Sequence, residues 1–134
     1  MALPAEADSF GVEHPRAGDL ESFDWGVLAV AGLGFECAGN AARKLIEHGA
    51  RALLSWGVAG GLSTGLAPGD LLLPERVVSD EGEWLTDPCL RSRMQQVLGG
   101  RVCAGGALYC SRDPVTSVEA KRALATRNML AVDM

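Results

Sequence analysis

The sequence predicts an α/β protein, one domain over residues 1–134 built on an open, mostly parallel sheet flanked by helices, and incomplete at both ends. Three observations carry this. Short apolar runs bounded by glycine recur along the chain, helix-patterned segments alternate with them, and 134 residues that are 48% apolar and 22% charged leave room for a single core.

The elements follow in order. Val27-Leu28-Ala29-Val30-Ala31 is too short for a stable helix and lacks polar alternation, so it reads as a buried strand. After Gly32-Leu33-Gly34, small and apolar residues at Cys37, Ala38, Ala41, Ala42, Leu45 and Ile46 form one stripe of a helix, with His48 and Gly49 as its stop signals. Ala52 to Trp56 reads as a second buried strand, which makes residues 27–56 a parallel strand–helix–strand unit with a right-handed crossover. A glycine-rich loop runs from Gly57 to Asp70. The apolar stretch from Leu71 to Val78 is interrupted by Pro74, which removes a ladder donor and predicts a bend or an edge there. Residues 79–88 are acidic and turn-rich, Leu90 to Leu98 has helical composition, and Val102 to Tyr109 reads as strand around a glycine pair. Thr116-Ser117-Val118-Glu119 fits a capping box for a helix ending near Thr126, and Met129 to Val132 is the last strand. The chain stops directly after that strand and shows no strand ahead of Ala2-Leu3-Pro4, so it reads as a fragment.

Charge and composition narrow the partners. Net charge is -5; residues 1–36 hold seven acids against one base, and the remainder holds ten acids against eleven bases. With no Lys/Arg cluster, neither nucleic acid nor an anionic membrane surface is expected as a partner, and a small ligand is. No run approaches the ~18 apolar residues of a membrane span, and no secretory start is present, which predicts a cytoplasmic protein without stable membrane insertion. The four cysteines include no CxxC pair and the two histidines are far apart, so neither a metal site nor a redox dithiol is expected.

In open α/β sheets ligands bind beyond the carboxyl ends of strands. Gly32-Leu33-Gly34 occupies such a place, but a dinucleotide fingerprint would put a third glycine where Cys37 stands, and no acid ends the second strand. A nicotinamide cofactor is therefore not expected. The loop after Trp56 is more informative, because its glycines leave main-chain N–H groups uncovered for a ligand.

Ser55-Trp56-Gly57-Val58-Ala59-Gly60-Gly61-Leu62, followed by Leu66-Ala67-Pro68-Gly69-Asp70, resembles the signature of the nucleoside phosphorylase and nucleosidase superfamily. Ala2-Leu3-Pro4-Ala5-Glu6 resembles the segment after that family's first strand, and Ala131-Val132-Asp133-Met134 the start of its ribose-binding motif. The three matches keep family order and span nearly the whole chain. The resemblance implies a phosphorylase/hydrolase-like fold and cleavage of the N-glycosidic bond of a purine nucleoside through an oxocarbenium-like transition state. It gives Glu6 the role of the carboxylate that activates water. Val58, Ala59 and Gly60 fall on the substrate loop, and Met134 on the methionine that packs against ribose. No cofactor is implied, and phosphate remains open as a co-substrate.

Two departures matter. The phosphorylase branch has a serine where Val58 stands and an arginine where Ser55 stands, which tilts the expectation toward hydrolysis. The family's ribose-binding glutamate after the methionine, and a later aspartate that protonates the base, have no counterpart in these 134 residues, so little activity is expected of them alone. Within the superfamily the motifs most resemble the hopanoid-associated branch, acting on an adenosyl lipid, with the methylthioadenosine/adenosylhomocysteine nucleosidases as the nearest rival. Both would release adenine. A homo-oligomer is expected, and the alternative to an enzyme is a non-catalytic nucleoside-binding module or inactive piece. Tyr109 lies in the right strand for a base-stacking aromatic, but its register cannot be read from sequence.

Overall fold

A computed structural model describes residues 4–134, which divide into two compact units, one ending at Val58 and one starting at Ala59. Ala2 and Leu3 of the first motif lie outside the described residues.

In the first unit, α1 (Pro4–Ala7) is a single turn continued by a 3-10 turn, Asp8–Phe10, that closes on Gly11 with φ +73°. Strand β1 (Leu20–Phe23) then folds back on β2 (Gly26–Ala29) as an antiparallel hairpin across Asp24-Trp25. Helix α2 (Phe35–Glu47) ends at His48 and Gly49, whose φ of +90° is the left-handed stop the sequence predicts. Its half-buried face holds Cys37, Ala41, Ala42 and Leu45, while Ala38 and Ile46 are exposed. The core of this unit is Ala7, Val12, Leu28 and Val30, with Phe10 and Phe23 packed on it.

The parallel unit expected over residues 27–56 is therefore corrected at both strands. β2 takes its hydrogen bonds from β1, reached by a two-residue turn, instead of from a distant parallel strand. Closing so short a loop costs far less chain entropy than a crossover. Residues 52–56 form no strand and find no ladder partner among the described residues, and Leu53 and Leu54 stay 44% and 60% exposed. A strand is defined by the neighbour that satisfies its N–H and C=O groups, and an apolar run without one is extended coil.

The second unit matches the predicted α/β class. Its main sheet has the order β3 (Gly60–Gly61), β9 (Met129–Asp133), β8 (Ala107–Cys110), β5 (Arg76–Ser79), β6 (Gly82–Leu85). The three inner strands are parallel and the two outer ones antiparallel to their neighbours. A second, two-stranded parallel sheet pairs β4 (Leu71–Leu73) with β7 (Val102–Ala104). The chain passes from the small sheet to the large one twice, at Pro74 and at Gly105-Gly106. Glu75 N donates to Gly106 O and Gly105 N to Leu73 O, both at 3.0 Å, so the two breaks tie to each other. Pro74 marks the break the sequence predicts.

Helix α3 (Pro88–Leu98) starts two residues before the predicted stretch, because Asp87 Oδ1 accepts from Leu90 N at 2.8 Å and Pro88 suits the first turn. Helix α4 (Val118–Thr126) is capped by Ser117, whose Oγ accepts from Ala120 N at 3.1 Å. The cap therefore lies one residue past the Thr116 of the expected box. Leu124 of α4 joins Val78, Ala107, Tyr109 and Met129 in the core, with Leu62, Val115 and Val132 against it. No described helix is long and apolar enough to cross a membrane.

Candidate active site

Glu6 sits where two segments of the first unit meet. Ala7, fully buried beside Val12, Leu28 and Val30, fixes the short helix that carries it. Phe10 meets Trp56 edge-on with ring centroids 5.9 Å apart, which brings residues 6–10 to the start of the glycine loop. There Glu6 Oε1 accepts a hydrogen bond from Val58 N at 3.0 Å, between residues 52 positions apart. The Val58 side chain takes no part in that bond and is 72% exposed. The expected carboxylate and the expected loop are thus joined by the main chain. A cleft of about 230 Å³ in the same unit, between the hairpin and α2, is lined by Leu20, Val30, Cys37 and Lys44 among others, and by none of the expected site residues.

The second unit holds the other members. Ala59 and Gly60 are exposed, and Gly60 pairs with Val132 while Gly61 pairs with Ala131. Met134 lies two residues beyond Val132, roughly 7 Å along the strand direction. It is half-buried, and its N–H donates to Asp133 Oδ1 at 2.6 Å. Gly60 and Met134 therefore share the carboxyl end of β9, the side on which open parallel sheets bind ligands. Residues 57–61 are exposed, although Val58 N is taken by Glu6 and Gly60 is paired with Val132.

Tyr109 has its register settled by β8, opposite Val78 and Val132. Its ring is buried in the core, its hydroxyl donates to Asp80 Oδ1 at 2.6 Å, and the Arg127 guanidinium lies 5.6 Å from the ring centroid. The hydrogen bond to Asp80, and after it burial, raise the phenol above its ordinary value. A ring held in this way packs against the core of the second unit. Burial, and then the Asp133 carboxylate, likewise raise the Cys110 thiol. Among the described residues no cluster of three His, Cys, Asp or Glu side chains could hold a metal.

The second unit is an α/β sheet with parallel inner strands and a glycine pair beside the carboxyl end of its last strand, and in the first unit a carboxylate is bound to the main chain of Val58. A family model described as the phosphorylase superfamily matches residues 24–134, and the chain belongs to that superfamily. It is 42% identical over 66 residues to a 5'-methylthioadenosine/S-adenosylhomocysteine nucleosidase of Mycobacterium bovis. That match covers 48% of this chain and 26% of the relative, so it spans about a quarter of the relative's length. Among solved structures, the chain is similar to the Neisseria meningitidis nucleosidase of the same name in complex with methylthio-immucillin-A. The TM-score is 0.77 at 21% identity, over 99% of this chain and 72% of that one. It is also similar to a futalosine hydrolase mutant of Helicobacter pylori, with a TM-score of 0.78 at 20% identity, over 99% and 76%. At these identities the likeness establishes the fold.

Sequence reasoning named Glu6, Val58, Ala59, Gly60 and Met134. It did not single out Gly57, whose neighbour in space is 51 positions away in sequence and leaves no local signal.

Proposed function

We propose that the protein hydrolyses the N-glycosidic bond of a purine nucleoside and releases adenine. Superfamily membership and the nucleosidase relatives support the reaction class. The observation that carries the hydrolytic form is the bond from Val58 N to Glu6 Oε1, which fixes a half-buried carboxylate on the substrate loop. In this reading the oxygen of water attacks the anomeric carbon as the carbon–nitrogen bond breaks. Glu6 takes the proton that water loses, and the departing base gains one. Ala59 and Gly60 line the nucleoside through main-chain groups, and Met134 packs on the ribose. The absence of a hydroxyl at Val58 and of a cation at Ser55 supports water over phosphate.

On the 5′ side, the pairing of the Ala2–Glu6 and Ala131–Met134 motifs with the glycine loop supports an adenosylated hopanoid. The 42% identity to a methylthioadenosine/adenosylhomocysteine nucleosidase favours the smaller thioethers as the second reading. We place the reaction in the cytoplasm and the protein in a homo-oligomer. The deciding experiment incubates the full-length gene product with adenosine, methylthioadenosine and an adenosyl hopanoid, with and without phosphate. Free adenine is expected together with the unphosphorylated sugar, which is ribose from adenosine and the 5-substituted ribose from the other two. Adenine formed only with phosphate would overturn the hydrolytic assignment, and saturable binding without turnover would favour a nucleoside-binding module.

A further inference from the structure

Resting on the hydrolytic reading above, we propose that Gly57 is a positioning residue for Glu6, its missing side chain being the space that lets the carboxylate reach the Val58 N–H. A Cβ on Gly57 would lie 2.5 Å from Glu6 Oε1, 3.0 Å from its Cδ and 3.2 Å from Oε2, so the whole carboxylate stands over the bare α-carbon. The neighbouring loop glycines differ. A Cβ on Gly60 would come no closer than 3.5 Å to anything around it, and on Gly61 no closer than 3.8 Å, which are ordinary contacts.

Backbone geometry does not account for the glycine. Gly57 is not among the residues with positive φ, so an alanine fits its conformation. What excludes a methyl group there is Glu6. The obstructing atoms are the tip of a flexible side chain, so alanine leaves the loop in place and moves the carboxylate by roughly one ångström, to ordinary van der Waals distance. That is about the displacement at which misplacing a catalytic group costs ~10²-fold in rate.

The test compares full-length wild type, G57A, E6Q and the double variant. G57A is expected to fold, to lose ~10²-fold in kcat with KM little changed, and to add nothing further in the E6Q background. An unchanged kcat would overturn the proposal. So would a loss of equal size in both backgrounds, which would show that Gly57 acts independently of Glu6, or an effect confined to KM, which would place Gly57 against the substrate. The amide resonance of Val58 reads the contact without any turnover. G57A should move it toward its position in Glu6→Ala, and a resonance that stays put overturns the proposal even if the wild type acts on no nucleoside. In that last case the reaction assigned above fails separately.

Discussion

The Glu6 carboxylate can be tested by two substitutions that fail for different reasons. E6Q keeps the length of the side chain and an acceptor oxygen, so the contact of 3.0 Å to Val58 N survives while the ability to take a proton from water is lost. Loss of a general base costs ~10²–10⁴ in rate, or about 3–5 kcal/mol of barrier. E6D keeps the proton acceptor but withdraws it by one carbon–carbon bond, ~1.5 Å. The hydrogen bond then opens beyond the ~3.2 Å limit for N–H···O contacts, and misplacement costs ~10²-fold. Weakening the hydrogen bond of a half-buried group costs about 1 kcal/mol of stability, so both proteins should fold. The assay is adenine release by chromatography at saturating nucleoside, with thermal melting as the control. An E6Q protein that keeps kcat within roughly threefold of wild type would refute the assignment of Glu6 as the base.

Two further predictions concern the frame around the site. Gly106 has φ +69° and stands 2.5 Å and 2.7 Å, measured from a built Cβ, from Cδ1 and Cγ of Leu130. Gly106→Ala should cost about 2–4 kcal/mol, by left-handed strain plus displacement of Leu130, read in urea unfolding as a lower midpoint with unchanged slope. Tyr109→Phe removes the donor to Asp80 and should cost about 1 kcal/mol at neutral pH. The folded phenol titrates above its ordinary value, so its contribution is complete below pH ~10 and is lost as pH rises through the raised value. Y109F should therefore flatten the alkaline fall in stability, and an unchanged fall would mean that other groups cause it.

What could be read in advance divides by the range of the interaction that decides it. Helix stops and breaks are local. Gly49, Pro74 and the start of Met129–Asp133 all fall where the residues themselves dictate a conformation, whereas the single strand expected over Val102 to Tyr109 is split at Gly105-Gly106 into strands of two different sheets. Strand pairing is not local. Residues 27–31 and 52–56 look alike as apolar runs, yet the first finds a partner in the unremarkable Leu-Glu-Ser-Phe segment at 20–23, and the second finds none among the described residues. The same limit applies at the site. The glycine loop announces a ligand through composition, but the closeness of Glu6 to Gly57 is a property of the folded chain, set by Ala7 in the core and by Phe10 against Trp56.

The Glu6 contact also bears on which nucleophile meets the sugar. Main-chain N–H groups bind phosphate as well as side-chain hydroxyls do, so Val58 alone is a weak argument against phosphorolysis. Glu6 is a stronger one, because its oxygen already occupies the Val58 N–H. A phosphate brought to the same donor would stand about 4 Å from that carboxylate. Repulsion there is about 4 kcal/mol per unit charge at an effective dielectric of about 20, before salt reduces it. Water carries no charge and meets no such barrier. Restoring a hydroxyl should therefore not restore phosphate use. With adenosine as substrate, V58S in the full-length gene product is expected to yield free ribose with or without phosphate, followed by separating ribose from ribose 1-phosphate. If V58S instead makes ribose 1-phosphate while Glu6 is intact, the side chain at position 58 selects the acceptor, and the argument from charge is wrong.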